Sequence, residues 1–173
     1  MLHAAVFRLN RFFVLSVIAL CCTATAVAAA PDAVVEEVAD EDVAMPAHDI
    51  AGAEVANLAR GYVGSRYRWG GTSPAGFDCT GFVQFVYGQF GVSLPHNEAG
   101  QLAGGARVDA DELEPGDVLV FANTYRRGLS HVGIYVGEGQ FVHAADERHG
   151  VTVSNLWDGY WSPRLVGASR AIA

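Results

Sequence analysis

The sequence predicts an α+β domain in which helices come first and an antiparallel sheet follows. Apolar residues recur at helical spacing between residues 53 and 91. From residue 118 onward, short runs rich in Val, Ile, Phe and Tyr alternate with turn residues, which is the pattern of strands. The composition is that of a globular protein only from residue 51, so the domain is expected to occupy residues 51–173.

The first part of the chain has the pattern of an export signal. Two arginines precede the apolar run FFVLSVIALCC, and the small residues TATAVAAA follow. We expect residues 1–28 to be a signal peptide that is cleaved after Ala28. The alternatives are an uncleaved membrane anchor, or a lipid anchor on Cys21 or Cys22, but the apolar run is short for a membrane span.

An acidic spacer is expected between the signal and the domain, over residues 29–50. Seven Asp or Glu and no Arg lie between residues 31 and 50, so the segment repels itself and has little to bury. The whole chain has a net charge of −8 and no lysine, which excludes a basic nucleic-acid-binding surface. We expect a monomer that is exported to the periplasm, the cell envelope or the medium, without stable membrane association.

The helical half holds three predicted helices. The first covers AEVANLARGYVG and is followed by the turn-rich loop RYRWGGTSPAGF. The second, CTGFVQFVYGQFG, begins at Cys79 and is expected to stop at Gly91. A short third helix is predicted in HNEAGQL.

The second half holds four predicted strands, VLVFA, HVGIYV, QFVHAA and VTVSNL, and closes with WDGYW. The segment GEG, residues 137–139, is expected to form a three-residue hairpin loop. Two residues on the paired strands then have their side chains on the same face of the sheet when their numbers add up to an even value. His131 and His143 are therefore expected on one face of the sheet, where one imidazole can orient the other.

Cys79 is the only cysteine that remains after signal removal, so an internal disulfide is excluded. A helix N-terminus favours the thiolate, which attacks carbonyl groups. The competing interpretations are a cysteine that only packs and a zinc site of Cys79, His131 and His143. A zinc site would lack the closely spaced ligand pairs that are typical of such sites. We expect no role for the remaining histidines of the exported chain, His48, His96 and His149.

Five segments together resemble the NlpC family of bacterial cell-wall cysteine peptidases. They are YRWGG, GFDCTGFVQFVY, LEPGDVLVF, SHVGIYVGEGQFVHA and WDGYW, in the family's order and at similar spacing, between about residues 51 and 170. The resemblance implies a papain-like fold, in which a cysteine-bearing helix packs against an antiparallel sheet that carries the histidines. It implies a thiol peptidase and no metal or organic cofactor.

The resemblance also assigns the reacting groups. Cys79 is the implied nucleophile, His131 the general base and His143 the residue that orients His131. Tyr67 is implied to lie beside the thiol and to position it or the oxyanion.

The implied substrate contacts are less specific. Asp78 corresponds to an acid that binds the substrate's amino group in some members, and it is equally suited to cap the Cys79 helix. Thr80 replaces the family's usual serine and keeps its hydroxyl. Gly70 and Gly71 would allow the loop backbone to approach the site, and Ser130 is placed with this group.

The resemblance predicts an endopeptidase that cuts a peptidoglycan stem-peptide or cross-link bond beside diaminopimelate. Of the two bonds, we expect the cross-link between D-alanine and diaminopimelate. The family's Leu-Pro-Arg followed by Ser or Thr is changed to Leu-Pro-His-Asn at residues 94–97, which alters the groove. The alternatives are an N-acetylmuramoyl-L-alanine amidase-type hydrolase and an inactive wall-binding module.

Overall fold

The computed structural model of the chain describes residues 47–172. The described part contains three α-helices, eight strands and one short 3₁₀ helix (Ser162–Arg164): α1 (Ala47–Gly61), β1 (Thr72–Ser73), β2 (Gly76–Phe77), α2 (Cys79–Gly88), α3 (Glu98–Leu102), β3 (Ala106–Val108), β4 (Val118–Ala122), β5 (Leu129–Gly137), β6 (Gln140–Asp146), β7 (Gly150–Asn155) and β8 (Leu165–Arg170). Of the helices described, none has the length and apolar character needed to cross a membrane.

Six strands form one antiparallel sheet in the order β3-β8-β4-β5-β6-β7, and β1 pairs with β2 in a separate short hairpin. The predicted α+β fold is therefore confirmed. Strands β3 and β8, at one side of the sheet, were not predicted. Both are short, and few of their positions are buried, so they lack the regular apolar alternation that marks a strand.

The two faces of the sheet are buried by different parts of the chain. Helices α1 and α2 cover one face, and their apolar side chains form a common core with Val118, Val120, Val132, Ile134, Val142 and Ala144. The other face carries Leu119, Phe121, Tyr135 and Phe141, and the segment after β7 closes over it through Leu156 and Trp161. Successive residues of a strand point to opposite faces, so β5 contributes to both cores.

Two helix boundaries differ from the sequence prediction. Helix α1 begins at Ala47, which lies inside the spacer predicted to end at residue 50. Helix α2 ends at Gly88 rather than at Gly91, and Gly91 adopts a positive φ of 76° in the turn that follows. The predicted signal peptide and the spacer up to residue 46 lie outside the described residues.

The β5–β6 hairpin has the predicted register with a different turn. Glu138 and Gly139 form the connection with φ of 55° and 71°, the signs that a type I′ turn needs. A register shift between Tyr135 and Gly137 adds one residue to β5. Ile134 consequently faces Val142, as in the predicted three-residue loop. The bulge thus restores the even register that a two-residue turn alone would have lost.

Candidate active site

Cys79 is the first residue of helix α2, and its side chain is 5% exposed. The backbone N–H groups of Thr80 and Val132 are directed at the sulfur. Val132 follows His131 in β5, so the thiol meets the sheet beside the predicted base. A cleft of about 280 Å³ leads to the thiol, with Tyr67, Trp69, Gly70, Asp78, Thr80, His96, Glu98, Tyr125 and Arg126 in its walls.

The electrostatic surroundings of the thiol differ from the sequence expectation. Burial raises the pKa of Cys79 to about 12, and the negative charges of Asp78 and Glu98 act in the same direction. The two backbone N–H groups lower it by a smaller amount. The helix N-terminus had suggested a thiolate, but in the free protein desolvation is the larger effect. The resting thiol therefore holds its proton.

Asp78 caps helix α2 with a carboxylate that is surrounded by hydrogen-bond donors. One oxygen accepts from the backbone N–H of Gly81 at 2.7 Å and from the hydroxyl of Thr80 at 3.1 Å. The other accepts from the backbone N–H of Gly70 at 2.9 Å. Nε2 of His96 donates to the same carboxylate at 2.8 Å. The predicted N-cap is confirmed, and a substrate ammonium group would have to replace one of these donors.

His96, for which no role was expected, lies within the site. Its imidazole pairs with Asp78 and lines the thiol cleft, with one third of the side chain exposed. Two further charged residues of the cleft were missed, Glu98 and Arg126, whose side chains pair at 2.8 Å. The altered Leu-Pro-His-Asn segment was the one sequence signal that pointed here, because it marks where this chain departs from the family pattern.

Backbone pairing holds Tyr67 beside the start of helix α2. The residues on either side of Tyr67 exchange hydrogen bonds with Phe77, from Phe77 N–H to Arg66 O at 3.0 Å and from Arg68 N–H to Phe77 O at 2.8 Å. Burial, followed by the nearby Cys79 and Asp78, raises the pKa of Tyr67 to about 12. The Tyr67 hydroxyl therefore remains a hydrogen-bond donor at neutral pH.

The glycine pair after Trp69 permits a close approach of the loop to the helix. Gly70 has a φ of 71° and points its N–H at Asp78. A Cβ on Gly71 would lie 2.2 Å from the carbonyl oxygen of Gly76, which leaves no room for a side chain. The carbonyl oxygen of Gly71 in turn accepts from the backbone N–H of Asp78 at 3.0 Å.

His131 and His143 lie on one face of the sheet, as predicted, and are hydrogen-bonded to each other. Nε2 of His131 is 2.7 Å from Nδ1 of His143, and the rings meet edge to face. Nε2 of His143 is 2.9 Å from Oγ of Ser154 on β7. The structure thus joins three side chains, of which sequence reasoning identified two.

An aromatic enclosure removes the histidine pair from water. Phe141 stacks on His143 with the ring centroids 4.7 Å apart, and Trp161 contacts both imidazoles at 4.9–5.2 Å. His131 is 3% and His143 1% exposed. Burial lowers the pKa of His131 to about 4, and burial together with His131 lowers the pKa of His143 well below its usual value. Both imidazoles are therefore neutral at pH 7.

A second cleft, of about 570 Å³, opens on the histidine side of the site. His131, His143, Tyr160 and Trp161 line it, and Tyr125 belongs to both clefts. Within residues 47–172, no group of three or more His, Cys, Asp or Glu side chains has an arrangement that could hold a metal ion.

Ser130 does not line either cleft as a substrate contact would. It is fully buried, and its hydroxyl lies 2.8 Å from that of Thr124 and accepts the Thr124 backbone N–H at 3.0 Å. The expectation of a substrate contact at Ser130 is therefore wrong. Ser130 instead anchors the β4–β5 loop, which carries Tyr125 and Arg126.

Comparison with family models matches residues 64–170 to the NlpC/P60 family. The chain belongs to this family. The resemblance drawn from the five sequence segments is thereby confirmed, and the match covers both the cysteine helix and the histidine strands.

Two NlpC/P60 relatives illustrate the similarity. The γ-DL-glutamyl hydrolase of Bacillus subtilis (strain 168) is 42% identical over 118 residues, which are 67% of this chain and 28% of the relative. A probable endopeptidase NlpC homolog of Haemophilus influenzae is 40% identical over 119 residues, 68% of this chain and 61% of the relative. The chain thus spans about a quarter of the length of the first and three fifths of the second.

A solved structure supports the same fold. The NlpC/p60 domain of the peptidoglycan hydrolase SagA is similar with a TM-score of 0.61 and 31% identity. The matched region covers 69% of this chain and 97% of that domain. The papain-like arrangement implied by the sequence is therefore confirmed.

Proposed function

We propose that the protein is a cysteine endopeptidase of peptidoglycan in which Cys79 is the nucleophile, His131 the general base and His143 the residue that orients His131. The observation that carries the proposal is the junction of helix α2 with strand β5. A buried thiol at a helix N-terminus meets the strand one residue from an imidazole, and that imidazole is hydrogen-bonded to a second one. A nucleophile, a base and an orienting group in this order are what acyl transfer requires.

The reaction starts with both the Cys79 thiol and the His131 imidazole uncharged. Because burial keeps both the thiol and His131 uncharged, the proton passes from the sulfur to His131 as the sulfur attacks the substrate carbonyl. The imidazolium that forms donates from Nε2 to His143. It then returns the proton to the departing amine as the C–N bond breaks, and an acyl-enzyme remains. Water, activated by His131, hydrolyses the thioester and restores the thiol.

Two donors are available for the oxyanion of the tetrahedral intermediate. The backbone N–H of Cys79 belongs to the unpaired first turn of α2. Tyr67 lines the same cleft, and its hydroxyl remains protonated because its pKa is raised to about 12. The backbone pairing at Phe77 holds Tyr67 in place, and Asp78 caps the helical turn that carries the Cys79 N–H, so little reorganisation is needed during the reaction.

The proposed substrate is a peptidoglycan peptide, and the expected bond is the cross-link between D-alanine and diaminopimelate. The names of the relatives, an endopeptidase and a peptidoglycan hydrolase among them, support the substrate class. The two clefts share Tyr125 in their walls. One cleft would bind the substrate residues before the cleaved bond, and the other would bind the residues after it. Asp78, Glu98 and Arg126 supply charges suited to the amine and carboxylates of such peptides.

A second candidate is the stem bond between γ-D-glutamate and diaminopimelate. It is favoured by the 42% identity to a protein named γ-DL-glutamyl hydrolase. Both candidates use the same thiol chemistry, and they differ only in which carbonyl is bound at Cys79.

A cross-linked muropeptide dimer distinguishes the two bonds. The purified protein is incubated with the dimer, and the products are identified by mass spectrometry, with Cys79→Ala as the control. Two intact tetrapeptide monomers support cross-link cleavage. Disaccharide dipeptides that end in D-glutamate support the second candidate. Free disaccharide and intact peptide would instead indicate an amidase, and an unchanged dimer would contradict the enzymatic proposal.

Export is part of the proposal, because the substrate lies outside the cytoplasm. We propose cleavage of residues 1–28 and an acidic spacer that precedes helix α1. N-terminal sequencing of the protein recovered from the cell envelope or medium is expected to begin at Ala29. An intact Met1, or a lipid on Cys21 or Cys22, would contradict this.

A further inference from the structure

The hydrogen-bonded histidine pair continues to Ser154, a residue outside the motifs that assign the other site residues. We propose that Ser154 is a positioning residue, which fixes the proton arrangement of both imidazoles so that His131 can accept the Cys79 proton. The inference rests on the proposed function, because it takes His131 as the base. Its evidence is the hydrogen-bond chain from His131 through His143 to Ser154.

The donor in the hydrogen bond between His131 and His143 follows from the role of His131 as the base. Its Nε2 is bonded to His143, so only Nδ1 is available to take up the thiol proton. A neutral imidazole carries one proton. If Nδ1 is to be free, that proton must be on Nε2, from which it is donated to Nδ1 of His143.

The same reasoning determines which ring nitrogen of His143 carries the proton. Its Nδ1 accepts from His131 and is therefore unprotonated, so the single proton of neutral His143 is on Nε2. That N–H is directed at Oγ of Ser154, 2.9 Å away. In the reversed arrangement Ser154 donates, His143 donates to His131, and His131 holds its proton on Nδ1. Such a His131 cannot act as the base.

Burial makes the acceptor at Ser154 necessary. His143 is 1% exposed, and the rings of Phe141 and Trp161 that pack around it are apolar partners. Among the described residues, Ser154 supplies the side-chain hydrogen bond at Nε2. A buried N–H without an acceptor is strongly disfavoured, so loss of the hydroxyl shifts His143 toward the arrangement that blocks His131.

The sheet places Ser154 for this role. Strand β7 pairs with β6 so that Ser154 faces Phe141 and Thr152 faces His143, which puts both β7 side chains on the histidine face. Ser154 is half-buried and lies at the wall of the second cleft. Its own O–H can therefore donate to solvent while its oxygen accepts from His143.

The kinetic test compares Ser154→Ala with Ser154→Thr in the full chain. Ser154→Ala is expected to lower kcat on the order of tenfold, because an unpartnered buried N–H penalises the productive arrangement. KM is expected to remain unchanged. Ser154→Thr keeps the hydroxyl and suits a strand, so it is expected to restore kcat. Equal kcat values for the wild type and Ser154→Ala would overturn the proposal.

A spectroscopic test does not depend on activity. In ¹⁵N-labelled protein at pH 7, the imidazole nitrogen shifts of His143 are expected to show a protonated Nε2. Ser154→Ala is expected to raise the fraction protonated at Nδ1, and Thr152→Val, on the same strand and face, is not. A wild-type His143 protonated at Nδ1 would contradict the inference. If Cys79→Ala retained activity, the proposed function would fail, while these nitrogen shifts would still report on Ser154.

Discussion

At the scale of single residues, burial determines the protonation of the site. The pKa of Cys79 is raised to about 12 and that of His131 is lowered to about 4, so each group is pushed toward its neutral form. In the proposed mechanism, charge then develops only during the reaction, when the Cys79 thiolate and the His131 imidazolium form. In that mechanism, His143 stabilises the imidazolium by accepting a hydrogen bond from its Nε2–H.

The two histidines are expected to differ in how much activity depends on them. His131→Ala removes the proposed base, a loss that typically lowers the rate on the order of 10²–10⁴-fold. His143→Asn or His143→Gln is expected to retain measurable turnover, because the amide oxygen can still accept from Nε2 of His131. Rates on one muropeptide, with far-UV circular dichroism as the folding control, test this. If His143→Gln were less active than His131→Ala, the two roles would be reversed.

At the scale of elements, the start of helix α2 holds the site together. Asp78 joins the helix to the loop at Gly70 and to His96, so one carboxylate fixes the thiol, the loop and a wall of the cleft. Strand β5 contributes His131 to one face and Val132 to the other. The bulge near Gly137 then sets the register that brings His143 to the same face.

Substitution of Asp78 separates its capping role from its charge. Asp78→Ala is expected to lower the free energy of unfolding by about 1–2 kcal/mol, because the first turn of α2 loses its cap. Asp78→Asn keeps an acceptor for Gly81 N–H and is expected to lose less than half as much. Urea denaturation measures both variants. If Asp78→Asn were as unstable as Asp78→Ala, the hydrogen bond with His96 rather than the cap would carry the stability.

At the scale of the whole molecule, the sequence predicted the fold class, the cysteine helix and four of the sheet's strands. These elements have strong apolar periodicity, and the even spacing of His131 and His143 made their shared face predictable. His96 and Ser154 were missed as site residues, because no sequence motif marks the contact of His96 with Asp78 or that of Ser154 with His143. The raised pKa of Cys79 was also missed, since burial depends on tertiary packing that a helix-terminus argument does not include.

The buried histidines predict acid sensitivity of the folded state. Their pKa values are lowered on folding, so the unfolded chain binds protons first as the pH falls below about 6.5. The contribution of these neutral imidazoles to the free energy of unfolding is fully present above that pH and is lost progressively toward pH 4. For His131, a fall from 6.5 to about 4 corresponds to roughly 3 kcal/mol.

Urea denaturation between pH 4 and pH 7 measures this effect. The double variant His131→Gln/His143→Gln is expected to flatten the dependence, whereas His149→Gln, which changes an exposed histidine, is expected to keep most of it. A wild-type stability that stays constant from pH 6.5 to pH 4 would show that these imidazoles are not held neutral by the fold.

The central claim is that Cys79 attacks the peptide bond, and one measurement tests it most directly. Wild-type protein and Cys79→Ala are incubated with the cross-linked muropeptide dimer, and product formation is followed by mass spectrometry after both proteins are shown to melt alike. The account predicts monomeric products with the wild type, and none with Cys79→Ala beyond the uncatalysed rate. Activity of Cys79→Ala within tenfold of the wild type would contradict it.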